Sequence, residues 1–166
     1  LPSLNWIIVP HHVNEAAIRA TKKSFPGAIT LSEFEKSITK CTNPVVIIVD
    51  RIGMLRSLYQ YATISYVGGG FGKDGVHNVL EPAVFGKPVI WGKEDEKYRE
   101  AIGLRNAGGG FSVKDQNELN SLFTKLLNDP IAYKNASHNA AQFILNNEGA
   151  THKTIHYIQE NRLLTN

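Results

Sequence analysis

Six short apolar runs recur along the chain with amphipathic segments between them, and this alternation limits the possible folds more than any other feature. The runs are "WIIV" (6–9), "AITL" (28–31), "VVIIV" (45–49), "TISYV" (63–67), "PVIW" (88–91) and a weaker "GGFSV" (109–113). Continuous β-branched runs, rather than alternating ones, mark strands covered on both faces. The segments between them have helical starts and stops. Ser32 with Glu35 and Asp115 with Glu118 have capping-box spacing. The second box is followed by Leu119, Leu122, Phe123 and Leu126 on one helical face. Asp95 is placed to cap a helix carrying Tyr98, Ile102 and Leu104, which Gly108 ends. In the tail, 151–163, residues Ile155, Ile158 and Arg162 fall at helical spacing. Strand–helix alternation with short links means βαβ units. The expected fold is α/β, a doubly wound, Rossmann-like parallel sheet of about six strands in a single domain over 1–166.

Composition narrows the function classes. The 166 residues are 42% hydrophobic, enough for a core, and carry a formal charge of +3. That excess is small and its lysines are scattered, so no nucleic-acid partner is expected. One cysteine, Cys41, excludes an internal disulfide framework and fits a reducing compartment. Runs such as "PVVIIV" are too short to cross a bilayer, and no signal peptide is visible. The chain opens at "LPSLNWIIVP" without a methionine, as expected of a fragment of a longer protein.

Open parallel sheets bind ligands beyond the carboxyl ends of their strands. "PHHVNE", "DRIGML", "GGGFGKDGVHN" and "GKEDEKY" fall there. The third stands out. Its glycines tolerate positive φ and close backbone approach, and a helical pattern follows them. A helix N-terminus with unpaired amides is an anion site, most often for phosphate. The spacing is neither that of a nucleoside triphosphatase P-loop nor that of a first-turn dinucleotide loop. Asn78 and Glu81 have a structural role open to them as a helix N-cap and its capping-box partner. They also have a functional one. With His77 they emerge at the carboxyl edge, where a carboxylate can accept hydrogen bonds from a ribose diol while loop amides hold a phosphate.

"GGGFGKDGVHNVLEPAVFGKPVIWG" closely resembles the nucleotide-sugar loop of 3-deoxy-D-manno-octulosonic acid (Kdo) transferases. The family pattern is matched by Gly68, Gly69, Gly75, His77, Asn78, Leu80, Glu81, Pro82, Ala83, Gly86, Lys87, Pro88, Val89 and Gly92, with Val76 standing where the family has a second glycine. "DRIGML" is similar to another family segment through Asp50, Gly53 and Leu55, while Arg51 and Met54 depart from it. "VPHHVNE" resembles a third, with His11 in place of an arginine.

The resemblance implies the C-terminal, donor-nucleotide-binding half of a two-domain GT-B glycosyltransferase. Its N-terminal acceptor domain is then absent from this chain, and the helix near 151–163 is expected to pack on that domain. It implies a CMP-Kdo donor, a lipid A precursor acceptor, inversion at the anomeric carbon, no cofactor and no metal. Catalysis would take place at the cytoplasmic side of the bacterial inner membrane, with contact to the membrane surface only through the other domain. Gly69, Gly70, Gly75, His77 and Asn78 are expected at the donor phosphate and sugar, together with His11 and His12, for which an exposed loop is an equal alternative. Glu81 is expected at the ribose, and Gly53 and Met54 at the base. No catalytic residue is expected here, since the general base belongs to the acceptor domain. Two alternatives stay open: a UDP-sugar transferase or 2-epimerase of the same architecture, and a non-catalytic nucleotide- or partner-binding module. Local spacing also speaks against a metal: no D-x-D stands at a strand end, and His138, His152 and His156 read as solvated helix surface. Adjacent His11 and His12 would point opposite ways in an extended chain.

Overall fold

The computed structural model describes residues 4–37, 46–72 and 75–163. Cys41, Val45 at the head of the third run, and Lys73 and Asp74 of the glycine loop lie outside the described residues. The chain divides into two compact units, Leu1–Leu58 and Tyr59–Asn166.

The first unit is a three-stranded parallel sheet with β1 (Trp6–Ile8), β2 (Ile29–Thr30) and β3 (Val46–Ile48) in the order β1-β3-β2. Ile8 pairs with Ile48, and Ile29 with Ile47. Helix α1 (Glu15–Ser24) starts where the Asn14 side chain accepts the Ala17 amide at 2.8 Å. Helix α2 (Leu31–Ser37) is capped two residues earlier than expected. The capping box is Thr30 with Glu33: the Thr30 hydroxyl accepts the Glu33 amide at 3.2 Å, and Glu33 accepts the Thr30 amide at 2.7 Å. Thr30 offers the same side-chain acceptor as Ser32 and sits at the strand's end, so it takes the cap. Ser32 instead donates its amide to Asp50, and Glu35 pairs with Arg51. Helix α3 (Leu55–Leu58) closes the unit.

The second unit opens with a 3₁₀ turn (Tyr59–Tyr61) and builds a second parallel sheet from β4 (Ser65–Tyr66), β5 (Val89–Gly92) and β6 (Gly110–Val113), in that order. Tyr66 pairs with Ile90, and Ile90 with Phe111. Strand β5 is buried throughout, and its residues alternate between two cores. Val89 and Trp91 join Val67, Val76, Val79, Ala101 and Leu104. Ile90 faces the other way, towards Val113, Leu126 and Ala136. This two-sided burial is what a continuous apolar run signals.

Helices α4 (Leu80–Ala83), α5 (Arg99–Asn106), α6 (Gln116–Asn128), α7 (Pro130–Asn147) and α8 (Ala150–Glu160) complete the unit. Asp115 caps α6 as expected, its carboxylate accepting the amides of Asn117 and Glu118, while Glu118 reaches back one residue past the cap to the Lys114 amide at 2.9 Å. Leu119, Leu122, Phe123 and Leu126 face the second core together. Gly108 ends α5, donating its amide to Arg105. Asp129 caps α7 ahead of Pro130, a proline position suited to a first turn. Helix α8 stops at Glu160, so Arg162 lies beyond it. Among the described residues no helix is long and apolar enough to cross a membrane.

All six apolar runs therefore hold strands, and the four strand pairings are parallel. The hydrogen-bonded ladders form two three-stranded sheets, one in each unit, rather than the single sheet expected.

Candidate functional site

The glycine loop leaves β4 at the carboxyl edge of the second sheet. It folds back on itself through a bridge between Gly69 and Val76, a 2.9 Å bond from the Gly70 amide to the Gly75 carbonyl, and one of 3.2 Å from the His77 amide to the Gly68 carbonyl. The amides of Gly70 and His77 are thus occupied inside the loop. Phe71 stands exposed near its tip.

Two of the glycines are fixed by their surroundings. Gly70 has φ +77°, and a Cβ there would fall 2.5 Å from the Gly92 carbonyl oxygen. Gly75 has φ +68°, and a Cβ there would meet the Tyr98 hydroxyl at 1.7 Å. Neither position admits a side chain, through conformation and space together.

Beyond the loop, His77 and Asn78 are exposed and Glu81 is half-buried. The Asn78 Oδ1 accepts the Leu80 amide at 3.0 Å, and its Nδ2 donates to Glu81 Oε1 at 3.3 Å. The N-cap of α4 is Val79 rather than the expected Asn78, which sits one residue ahead of it and holds the Glu81 carboxylate. Only four residues of that segment are helical. The turn tightens at Gly86, and Pro88 forces the chain towards the extended form that starts β5. The helix dipole at this end is correspondingly small.

Sequence reasoning missed Tyr59. This half-buried residue sits in the 3₁₀ turn, and its hydroxyl is pushed up to about 12 by burial and by the charge of Glu81. Glu81 is thus bordered by Asn78 and by a neutral phenol.

The loop from β5 to α5 departs from its expected role. Asp95 does not cap α5, whose N-cap is Tyr98. Its side chain is only 1% exposed and accepts from the Trp91 indole at 3.0 Å and from Arg105 Nη1 at 2.9 and 2.7 Å. A buried carboxylate needs such partners more than a helix end needs a cap.

The remaining site candidates belong to the first unit. His11 and His12 follow β1 and are exposed. Their rings lie 4.6 Å apart in a T-shaped contact, because the chain bends there and does not extend. Gly53, with φ +86°, and half-buried Met54 follow β3. Both loops leave the carboxyl edge of that unit's sheet. Asp50, at the same edge, is pushed up by burial but ends below the usual carboxylate range through its hydrogen bonds to Ser32 and Thr30. His156 pairs with Glu160 at 3.1 Å on α8, and among the described residues no three His, Cys, Asp or Glu side chains converge.

The parallel α/β fold is shared with a solved structure. The solved structure it resembles is the C-terminal CMP-Kdo binding domain of WaaA from Acinetobacter baumannii, with a TM-score of 0.58 and 17% identity over 86% of this chain and 90% of that one. In sequence, the chain is a homologue of 3-deoxy-D-manno-octulosonic acid transferases. It is 39% identical over 126 residues to that of Aquifex aeolicus (strain VF5), covering 75% of this chain and 34% of the relative. It is 35% identical over 147 residues to that of Rickettsia prowazekii (strain Madrid E), covering 86% of this chain and 31% of the relative. The chain spans about a third of the length of these curated relatives. No protein-family model matches it.

Proposed function

We propose that this chain is the donor-binding part of a Kdo transferase, an inverting glycosyltransferase that moves Kdo from CMP-Kdo to a lipid A precursor in lipopolysaccharide core assembly at the cytoplasmic face of the inner membrane. The observation that carries this is the site itself. A closed glycine loop, Asn78 and Glu81 share the carboxyl edge of a parallel sheet, in a chain homologous to named Kdo transferases.

In this assignment the exposed faces of the loop and of His77 and Asn78 hold the donor phosphate. They thereby stabilise the leaving nucleotide as the glycosidic bond breaks, which is electrostatic catalysis without proton transfer. Glu81 binds the ribose hydroxyls, with Asn78 fixing one of its oxygens. Gly53 and Met54 border the base, and His11 and His12 meet the donor's carboxylate. The proton acceptor for the sugar hydroxyl lies in the acceptor domain, so the 166 residues bind donor without transferring it.

Calorimetry of the chain with CMP, UMP, AMP and GMP tests the assignment. CMP binds in preference to the other three. Equal binding of all four, or of none, overturns the cytidine assignment, and Kdo transfer by the chain alone overturns the division of labour. A second, purely structural role for Asn78 and Glu81 at the start of α4 has the 3.0 Å bond from the Leu80 amide to Asn78 Oδ1 in its favour.

A further inference from the structure

The buried Asp95 has no part in the roles above, yet it closes a loop that touches the glycine loop at three points. The Glu94 amide donates to the Gly70 carbonyl at 2.8 Å. The Gly92 backbone lies so close that a Cβ on either Gly70 or Gly92 would approach the other within 2.5 Å. Tyr98 sets the end of its ring against the Gly75 α-carbon. Asp95, in the middle of this loop, ties Trp91, near the end of β5, to Arg105, in the last turn of α5. Arg105 also donates to Ser112 on β6 at 3.2 Å.

We propose that the loop between β5 and α5 is a clamp that gives the glycine loop its donor-binding shape, with Asp95 and Tyr98 as positioning residues. The proposal rests on the donor-site assignment of the glycine loop. Its physical basis is the cost of the arrangement. Burying a carboxylate is unfavourable unless it is fully paired. Apolar residues of similar size often fill such a place with equal or greater stability. What an ion pair adds is a fixed geometry, and here the fixed element is the one on which the Gly70 and Gly75 backbones rest. A displacement of about 1 Å in a binding loop is enough for large losses of function.

The test compares Tyr98→Ala with Leu126→Ala, a buried core substitution far along the sequence in the second cluster. Both are expected to lower the melting temperature, so stability alone does not separate them. CMP affinity, measured by calorimetry well below both melting points, does. Tyr98→Ala weakens CMP by about tenfold or more and Leu126→Ala by less than about twofold, while Tyr98→Phe, which keeps the ring, stays within about threefold of wild type. Equal CMP affinities for the two alanine variants overturn the proposal. Should Tyr98→Ala not fold, Asp95→Asn takes its place in the same comparison.

If wild type does not bind CMP, the donor-site assignment fails, and amide exchange then decides the clamp. Faster exchange at Gly70 and His77 in Tyr98→Ala than in Leu126→Ala sustains it; equal exchange overturns it.

Discussion

The two units carry parallel sheets of the same size but are held together by different forces. In the second unit, alternate residues of β5 enter two apolar clusters, and Trp91, Ile90, Val89 and Leu104 are fully buried. In the first, the buried residues among those described are Thr30, Ile48 and Val49, and α1, α2 and α3 bury none. Polar contacts do the tying there: Lys22 with Glu33 at 2.7 Å, Thr30 with Glu33, Ser32 with Asp50, and Arg51 with Glu35. Apolar burial is nearly indifferent to pH and salt, whereas partly exposed pairs respond to both. The unit with the glycine loop is therefore the sturdier platform.

The largest effect that bears on this contrast is a cavity in the second unit. Leu104→Ala should cost about 2–5 kcal/mol. The chain has two tryptophans, Trp6 in the first unit and Trp91 in the second. In a Trp6→Phe background, fluorescence-monitored urea unfolding therefore reads the second unit by itself. A cost under about 1 kcal/mol would break the comparison.

Asp95→Ala comes next, at about 1–3 kcal/mol, since it leaves the buried Trp91 N–H without that acceptor.

In the first unit, Thr30→Ala removes one half of a capping box and should cost about 1 kcal/mol, with the second unit's Trp91 signal unmoved. Acid sharpens the same point. Glu33 is held below the usual carboxylate range, first by its hydrogen bond from Lys22 and then by the Thr30 amide. A depressed folded-state value gives stability that is complete above the ordinary 4.5 and lost as pH falls through the folded one. The first unit should accordingly lose order first on acidification, and Glu33→Gln should flatten that loss.

Tyr59 gives the second unit the opposite dependence. Raised to about 12, it contributes stability that is complete below pH 10 and lost as pH rises from there towards 12, and Tyr59→Phe should remove that part of the alkaline fall. The smallest effect belongs to Arg19→Ala, which breaks an exposed pair with Glu15 and should change stability by less than about 0.5 kcal/mol.

Much of the fold is legible in the sequence because its signals are local. Each strand falls on one of the six short apolar runs, and the Asp115 cap and the Gly108 stop depend on neighbours within one turn. Where two candidates compete, locality misleads: Thr30 and Ser32 are both capable caps, and only the position of the strand's end decides between them. Asp95 looks like a cap because nothing nearby in sequence reveals that Trp91 and Arg105 converge on it. Helix α7 gives little signal, since its buried stripe includes Ala136 and Ala140 rather than large apolar residues. The candidate site divides in the same way. The glycines, Asn78 and Glu81 are visible as a motif. That Gly70 and His77 spend their amides within the loop, that Tyr98 lies under Gly75, and that Tyr59 borders Glu81 are contacts made by the fold.

The most direct test of the donor-site account is the CMP affinity of Glu81→Gln. If Glu81 serves as a helix cap alone, the substituted amide keeps an acceptor for Asn78, and affinity would barely change. As a ribose ligand, the ionised carboxylate counts: charge-assisted hydrogen bonds contribute about 1.5–3 kcal/mol, against about 1 for neutral ones. The account predicts a loss of about tenfold or more, a melting temperature near wild type, and little further loss for a cytidine nucleotide lacking both ribose hydroxyls. An unchanged CMP affinity, or an equal drop for the dideoxy analogue, would contradict it.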